Sequence, residues 1–457
     1  MDLAFSSITE IATAVAARKI SAVEALDAHL ARIDRHNEAL NAVVILDREG
    51  AREGARQADA AQARGDVLGP LHGVPFTLKD AHDTAGIRTT AGFMPFADYV
   101  PKRDSPIVAR LKAAGAVLVG KTNVATMLGG WQSDNPLFGR TGNPWDLLRT
   151  AGGSSGGAAA AVASGMTPFE VGTDMQDSIR LPAAFCGVYG LKPTERRVSL
   201  AGAFPNPGVA PRSVRLMSCV GPLARSAEDL SLIYRIIAGP DGADTDLPPV
   251  PVETMPKLEL KSLRIAFTGG FSGFPVAAEI SAALEKLAAQ LASAGARVEE
   301  ARLPKLDLHD DLAEGGKLIG MMLEAARPEA PERQTPVSRW FAALARRDRS
   351  ILAWEHFFES CDALLCPVAM TTAFPHCKPG SPLEVDGKDE TYWMLPAYGA
   401  VFNYSGHPAL AFPCGQDSAG LPIGLQLVGR HWSEARLLSI AAAIASLAGG
   451  FHRPPGY

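Results

Sequence analysis

No two of the six cysteines (Cys186, Cys219, Cys361, Cys366, Cys377, Cys414) are spaced Cys-x-x-Cys, and no cysteine–histidine group has metal-ligand spacing. In a chain of 457 residues, long enough to bury a large core, this argues against a disulfide scaffold and for reduced, buried thiols. No metal and no cofactor is expected. An excess of charge is also missing. The 44 Lys and Arg against 49 Asp and Glu leave a net charge of −5, which argues against a general nucleic-acid or membrane-surface binder. The start, "MDLAFSSITE", has neither a basic run nor a long apolar one, so no signal peptide is read there. The longest apolar segment near the end, "ARLLSIAAAIASLAGG", is too short to span a bilayer. The expectation is a soluble cytoplasmic protein, monomer or homodimer, acting on a small molecule.

What is present is an alternation of helix and strand signals. Ser7 with Glu10, and Ser21 with Glu24, fit the Ser-x-x-Glu capping box, and Val23, Leu26, Leu30 and Ile33 lie on one helical face. Residues 1–60 are expected to be N-terminal helices. "GVPFTLKD" reads as a buried strand ending at Lys79, and "SPIVARLKAAGAVLVGKTN" as helix, glycine stop at Gly115, and strand. "LRIAFT", the helix carrying Ile280, Leu284, Leu287 and Leu291, and "ARVEE" repeat the plan; "DALLCPV", "PALAFP" and "GLQLVG" read as further core strands. This predicts an α/β fold with a large mixed, mostly parallel sheet covered by helices on both faces. The proline- and acid-rich stretch 239–261 is expected to be a surface connection.

Chemistry concentrates in "GGSSGGAAAAVASGMTPFEVGTDMQDSIRLPAA", Gly152 to Ala184, which holds serines in a glycine-rich setting but no histidine. A phosphate-binding loop would need Lys and Ser/Thr after the last glycine, where Ala158 and Ala159 stand. A nucleophile elbow, with Ser154 in Gly-x-Ser-x-Gly and His376, His407 or His431 as partner, would need a preceding strand. "TGNPWDLLRTA" reads as turn-rich, without strand character.

A third reading pairs two serines with a lysine. On the blocks "GVPFTLKDAHDTAG", "GKTNVATMLGGWQSDNPLFGRTGNPWD", "FCGVYGLKPT" and "FNYSGHPALAFPCGQDSAGLPIGLQLVGR", the chain resembles the amidase signature family of serine hydrolases almost end to end. The resemblance implies a single domain over 1–457 with its catalytic core in 70–240. It implies Lys79 as base, Ser154 (after a cis peptide from Gly153) as relay, and Ser178 as nucleophile. Backbone N–H groups from Met175, Gln176, Asp177 and Ser178 would form the oxyanion hole. Leu128, Gly129, Gly130 and Trp131 match the segment that lines the substrate pocket. Ser155, Asp174 and Arg180 are read as supporting residues, and Cys186 as core.

The residue types suit this chemistry. A serine hydroxyl is a weak nucleophile until a base takes its proton, and a lysine is a base only when neutral. Burial at the end of an apolar strand lowers its pKa.

The chain departs from the family at "MQD", where Gln176 and Asp177 stand in place of two glycines. A carboxylate beside a developing oxyanion would be unfavourable, so Asp177 is expected to point away, toward Arg180, while Gln176 alters the pocket. Small Gly129 and Gly130 beside Trp131 favour apolar or aryl amides, carbamates or esters. The segment 305–345, with Met321, Met322, Trp340 and Phe341, is read as a pocket wall or lid. Alternatives are a component of a glutamine-dependent tRNA amidotransferase, and an inactive binding homologue.

Overall fold

The computed structural model describes residues 2–66, 69–204, 212–326 and 335–457. Both expected capping boxes form, with reciprocal bonds between Ser7 and Glu10 and between Ser21 and Glu24, and they start the helices Ile8–Ala16 and Ala22–Leu40. Leu26, Leu30 and Ile33 are buried on the face that the spacing predicts. Residues 1–60 are not purely helical, however. The run Val43–Leu46, β-branched at its first three residues, forms a strand before the helix Arg48–Arg64 begins, and it pairs with the strand Val117–Thr122.

Two sheets carry the molecule. A three-stranded sheet places Val117–Thr122 between Val43–Leu46, antiparallel, and Pro75–Lys79, parallel. An eight-stranded mixed sheet runs in the order Arg297–Glu300, Arg264–Phe267, Ala363–Pro367, Pro422–Val428, Ala409–Gln416, Tyr189–Lys192, Cys219–Ala224, Phe169–Asp174. Strands before and after the 239–261 connection thus share one sheet.

The α/β class and the large mixed sheet are as the sequence implies, but parallel pairing does not predominate. Arg264–Phe267 is parallel to both its neighbours, and every other pairing in that sheet is antiparallel. Apolar runs buried on both faces read the same in either direction. The tight link from Ala409–Gln416 to Pro422–Val428 can only make an antiparallel pair.

Two helices lie at the centre of the fold, and every residue of each is buried. Gly156–Ala163 has alanine at five of its eight positions, a strong helix former whose small side chain lets neighbours approach closely. Arg180–Cys186 ends at Gly187, whose left-handed φ of 70° turns the chain into the strand Tyr189–Lys192. Phe76, on the strand that ends at Lys79, stacks on Phe169 at 5.2 Å between centroids and locks the small sheet to the edge of the large one. Phe76→Ala is expected to lower stability by about 3–5 kcal/mol, a typical value for a buried phenylalanine truncation, in a denaturant titration.

Candidate active site

The strand Pro75–Lys79 is wholly buried and carries Lys79 into the interior, where none of its side chain reaches solvent. Its Nζ lies 2.8 Å from Ser154 Oγ, 2.7 Å from Ser155 Oγ and 2.8 Å from Thr173 Oγ1, with the Thr173 carbonyl at 3.3 Å. Burial disfavours the ammonium and brings its pKa down to about 7, against the pull of Asp174 and Glu170 toward the charged form. Glu170, equally buried on the strand Phe169–Asp174, has its carboxyl pushed up to about 7 by desolvation.

Ser154 and Ser155 occupy the turn between the strand Asp146–Thr150 and the helix Gly156–Ala163. As a sequence, "DLLRT" shows no strand character. It nevertheless pairs with Gly142–Asn143 as a short hairpin, because the Pro144–Trp145 turn folds it back. The peptide Gly153–Ser154 is cis, the form that the resemblance implies. Gly153 has no room for a side chain: a Cβ there would stand 2.6 Å from Gln132 N and 2.7 Å from the Gly130 carbonyl oxygen. The serine turn is thereby pressed against the segment that carries Trp131.

Ser154 and Ser178 both line one cavity of about 620 Å³, whereas Ser155 is turned into the protein against Lys79. Leu128, Gly129, Gly130 and Trp131 all line this cavity. Trp131 Nε1 donates to the Gln176 carbonyl at 3.2 Å, and its ring packs on Tyr392 and Trp393 at 5.2 and 5.6 Å. Ile319 and Leu323, from the helix Leu308–Ala325, form an aliphatic wall. In the rest of the 305–345 segment, Met322 is buried beneath that wall and Phe341 is exposed, while 327–334 lies outside the described residues. Arg215 also lines the cavity, ion-paired with Asp244 and, at 3.6 Å, with Asp246.

Below the cavity, Asp174 and Arg180 make a bidentate pair at 3.0 and 3.1 Å with no exposure. Burial alone would raise the Asp174 carboxyl, but the Arg180 charge and hydrogen bonds hold it at about 2. Its oxygens also accept the N–H of Asp177 at 2.9 Å and of Ile179 at 3.1 Å. The Asp177 N–H, one of the expected oxyanion donors, is instead bonded to Asp174.

Asp177 itself points away from the cavity, with Oδ1 3.3 Å from Arg180 Nε, and burial pushes its carboxyl well above the usual carboxylate range. Gln176, by contrast, lines the cavity.

The three histidines of the elbow reading lie elsewhere. His407 and His431 share Glu355 Oε1 at 3.1 and 2.7 Å, and His376 does not line the cavity. The ligand-type atoms of these two histidines and Glu355 all lie within 4.8 Å of one another. Arg430, 2.7 Å from the second Glu355 oxygen, already supplies the positive charge there.

Thr173, Asn403, Tyr392 and Trp393 escaped the sequence reading. Asn403 donates to the Asp174 carboxylate at 2.9 Å from a helix more than two hundred residues away. Glu170 did leave a signal, a lone carboxylate in the apolar run "PFEVG".

A family model described as Amidase matches residues 24–317 and 319–438. The chain is 36% identical to a glutamyl-tRNA(Gln) amidotransferase subunit of Moorella thermoacetica, covering 97% of this chain and 96% of that one. It superposes with a TM-score of 0.85, at 30% identity over 98% of this chain and 100% of the other, on a structure from a vestigial protein complex that reveals the origins of an s-triazine catabolic enzyme. A bacterial aryl acylamidase of the amidase signature family gives a TM-score of 0.84 at 26% identity, covering 99% of each chain.

The buried amine sets a stability signature. Below about pH 7 Lys79 is protonated in both states; between about 7 and 10.5 only the unfolded chain holds the proton, so folding stability rises with pH across that window. Comparing wild type with Lys79→Met by denaturant titration across pH 7–10.5 is expected to show a steeper rise in the wild type, since the buried Lys121, brought down to about 8, contributes to both.

Proposed function

Because the chain belongs to the amidase signature family, whose enzymes act on carbon–nitrogen bonds, we propose that it is a serine hydrolase of apolar or aryl amides, with Ser178 as nucleophile, Ser154 as relay and Lys79 as base. One observation carries this reading. The amine of Lys79, shut away from water, lies 2.8 Å from the one serine hydroxyl of the turn that also faces the cavity shared with Ser178.

The steps follow from that chain of groups. Ser178 Oγ attacks the carbonyl carbon as its proton passes to Ser154 Oγ, whose own proton passes to the neutral Lys79 Nζ. The oxyanion accepts hydrogen bonds from the N–H groups of Met175, Gln176 and Ser178, donors that are each typically worth about 3 kcal/mol in the transition state. When the C–N bond breaks, the leaving nitrogen takes a proton from Ser154, which Lys79 replenishes. Water then hydrolyses the acyl-enzyme by the same route. Ser155 and Thr173 orient the amine, while the Asp174–Arg180 pair holds the turn beneath the nucleophile.

The cavity supports a substrate with an apolar body. Its volume of about 620 Å³ falls within the usual range for drug-sized ligands. Trp131, Tyr392 and Trp393 offer aromatic faces, and Ile319 and Leu323 make the helix Leu308–Ala325 a wall of the pocket. Carbamates and esters present the same carbonyl and leaving-group arrangement. Among the described lining residues Arg215 is the one cationic side chain, and it is already paired with two carboxylates.

A second reading draws its support from the curated relatives, which are named as glutamyl-tRNA(Gln) amidotransferase subunits, at 36% identity over nearly the whole chain. On it, the same nucleophile takes the glutamyl group of glutamine and releases ammonia toward tRNA held by a partner protein. The six unpaired cysteines favour a reducing cytoplasmic setting on either reading.

Labelling with a fluorophosphonate tests the nucleophile: the wild type is expected to react and Ser178→Ala to remain unlabelled, whereas an unlabelled wild type would make the chain a binding homologue. A panel of anilides, N-aryl carbamates and L-glutamine then separates the substrates. Aniline release supports the first reading; ammonia from glutamine, with no aniline released, supports the second. Ser154→Ala is expected to lower kcat by about 10²–10⁴-fold, the usual loss when proton transfer is removed. On an active substrate, kcat/KM is expected to rise with pH through about 7, as Lys79 loses its proton. A flat profile there would rule out Lys79 as the base.

A further inference from the structure

Two residues near the nucleophile each look poorly chosen for their local structure. Asp177 has a φ of 72°, a left-handed conformation that glycine adopts freely and most other residues only at a cost. Gly399 sits inside the short, wholly buried helix Ala397–Tyr404, where glycine is disfavoured relative to alanine.

The two explain each other. A Cβ built on Gly399 would fall on the Asp177 carboxyl group and stand 2.7 Å from the Asp177 Cβ. The missing side chain on the helix is thus the space that the Asp177 side chain fills. Around this contact, Arg180 holds both partners. Its Nε lies 3.3 Å from Asp177 Oδ1, and its Nη1 donates to the Gly399 carbonyl at 3.0 Å. Asn403, one turn further along the helix, accepts the Asp177 N–H at 3.3 Å. Among the described residues neither carboxyl oxygen of Asp177 has a hydrogen-bond partner, so packing holds this side chain rather than a bonded network.

We propose that Asp177 and Gly399 form a matched pair that positions the nucleophile. The Asp177 side chain, seated in the gap at Gly399, fastens the turn Met175–Ser178 to the helix Ala397–Tyr404 and fixes how Gln176 and Ser178, its two neighbours, face the cavity. Asp177 touches no reacting atom; it is a positioning residue. Where two glycines would leave the turn to be held by its backbone alone, this chain holds it through a side chain. The proposal rests on the reading of Ser178 as the nucleophile.

A double-mutant cycle over Asp177→Gly, Gly399→Ala and the double variant tests it. The readouts are the rate of fluorophosphonate labelling at Ser178, the thermal unfolding midpoint, and kcat and KM on whichever substrate the panel identifies. Gly399→Ala alone is expected to slow labelling by about tenfold or more, since contacting residues couple strongly. In the Asp177→Gly background the same change is expected to alter the rate by less than about twofold, because the clash is gone. Asp177→Gly is expected to lower kcat with KM nearly unchanged, and Asp177→Asn, similar in shape and tolerant of a left-handed φ, to restore most of the loss.

An equal effect of Gly399→Ala in both backgrounds overturns the proposal, as does wild-type labelling and turnover in Asp177→Gly. If Gly399→Ala fails to fold, recovery of folding and labelling in the double variant supports the pair, and no recovery overturns it. A wild-type chain that does not label removes the nucleophile reading and the positioning role with it, while the unfolding midpoints still show whether the two residues are coupled.

Discussion

Everything at this site depends on keeping one amine dry. Lys79 is surrounded by Ser154, Ser155 and Thr173, each within 2.8 Å, and by no solvent. A lysine in water would stay protonated and useless as a base near neutrality; desolvation brings it into range. The buried carboxyl of Glu170, itself pushed up to about 7 by desolvation, pulls the same amine toward its charged form, but less than burial opposes it.

A second buried charge system holds the nucleophile in register with the base. Asp174 ends the strand that also carries Glu170 and Thr173, so one strand serves both systems. The arginine paired with it reaches Gly399, Gln426 and Asn403, from a helix and a strand far away in sequence. Such a pair, buried without solvent, is destabilising if broken on one side and is tolerable because each polar atom is matched. Its value here lies in geometry: the turn before Ser178 is tied to the helix Ala397–Tyr404 and the strand Pro422–Val428.

Some of this was legible in the sequence and the rest was hidden, for physical reasons. Apolar runs bounded by glycine and proline marked Pro75–Lys79, Val117–Thr122 and Arg264–Phe267 as strands, because a strand buried on both faces leaves little choice of side chain. Their directions were not legible, since a continuous apolar run carries no sense of direction, and parallel pairing was overestimated. The strands Phe169–Asp174 and Tyr189–Lys192 went unread because glycine and charged residues interrupt them; Glu170 and Lys192 are tolerated only by a polar interior. Lys79, Ser154 and Ser178 came from family blocks rather than from periodicity. The Asp177 N–H, expected to face the cavity, is taken by Asp174, a bond formed only once the turn is folded. Asn403 and Trp393 were out of reach because their relation to the site is entirely long-range.

The lysine stands on the small three-stranded sheet, and Thr173 and Asp174, which lead into the nucleophile's turn, stand at the edge of the large one. The two are joined at this level by the stacked rings of Phe76 and Phe169 and by contacts around Lys79 itself. A proton path laid across a seam is only as durable as the seam. Partial opening there would separate base from hydroxyl while both sheets kept their own hydrogen bonds. Loss of the proton path therefore needs only a local parting of one sheet from the other, not the melting of either.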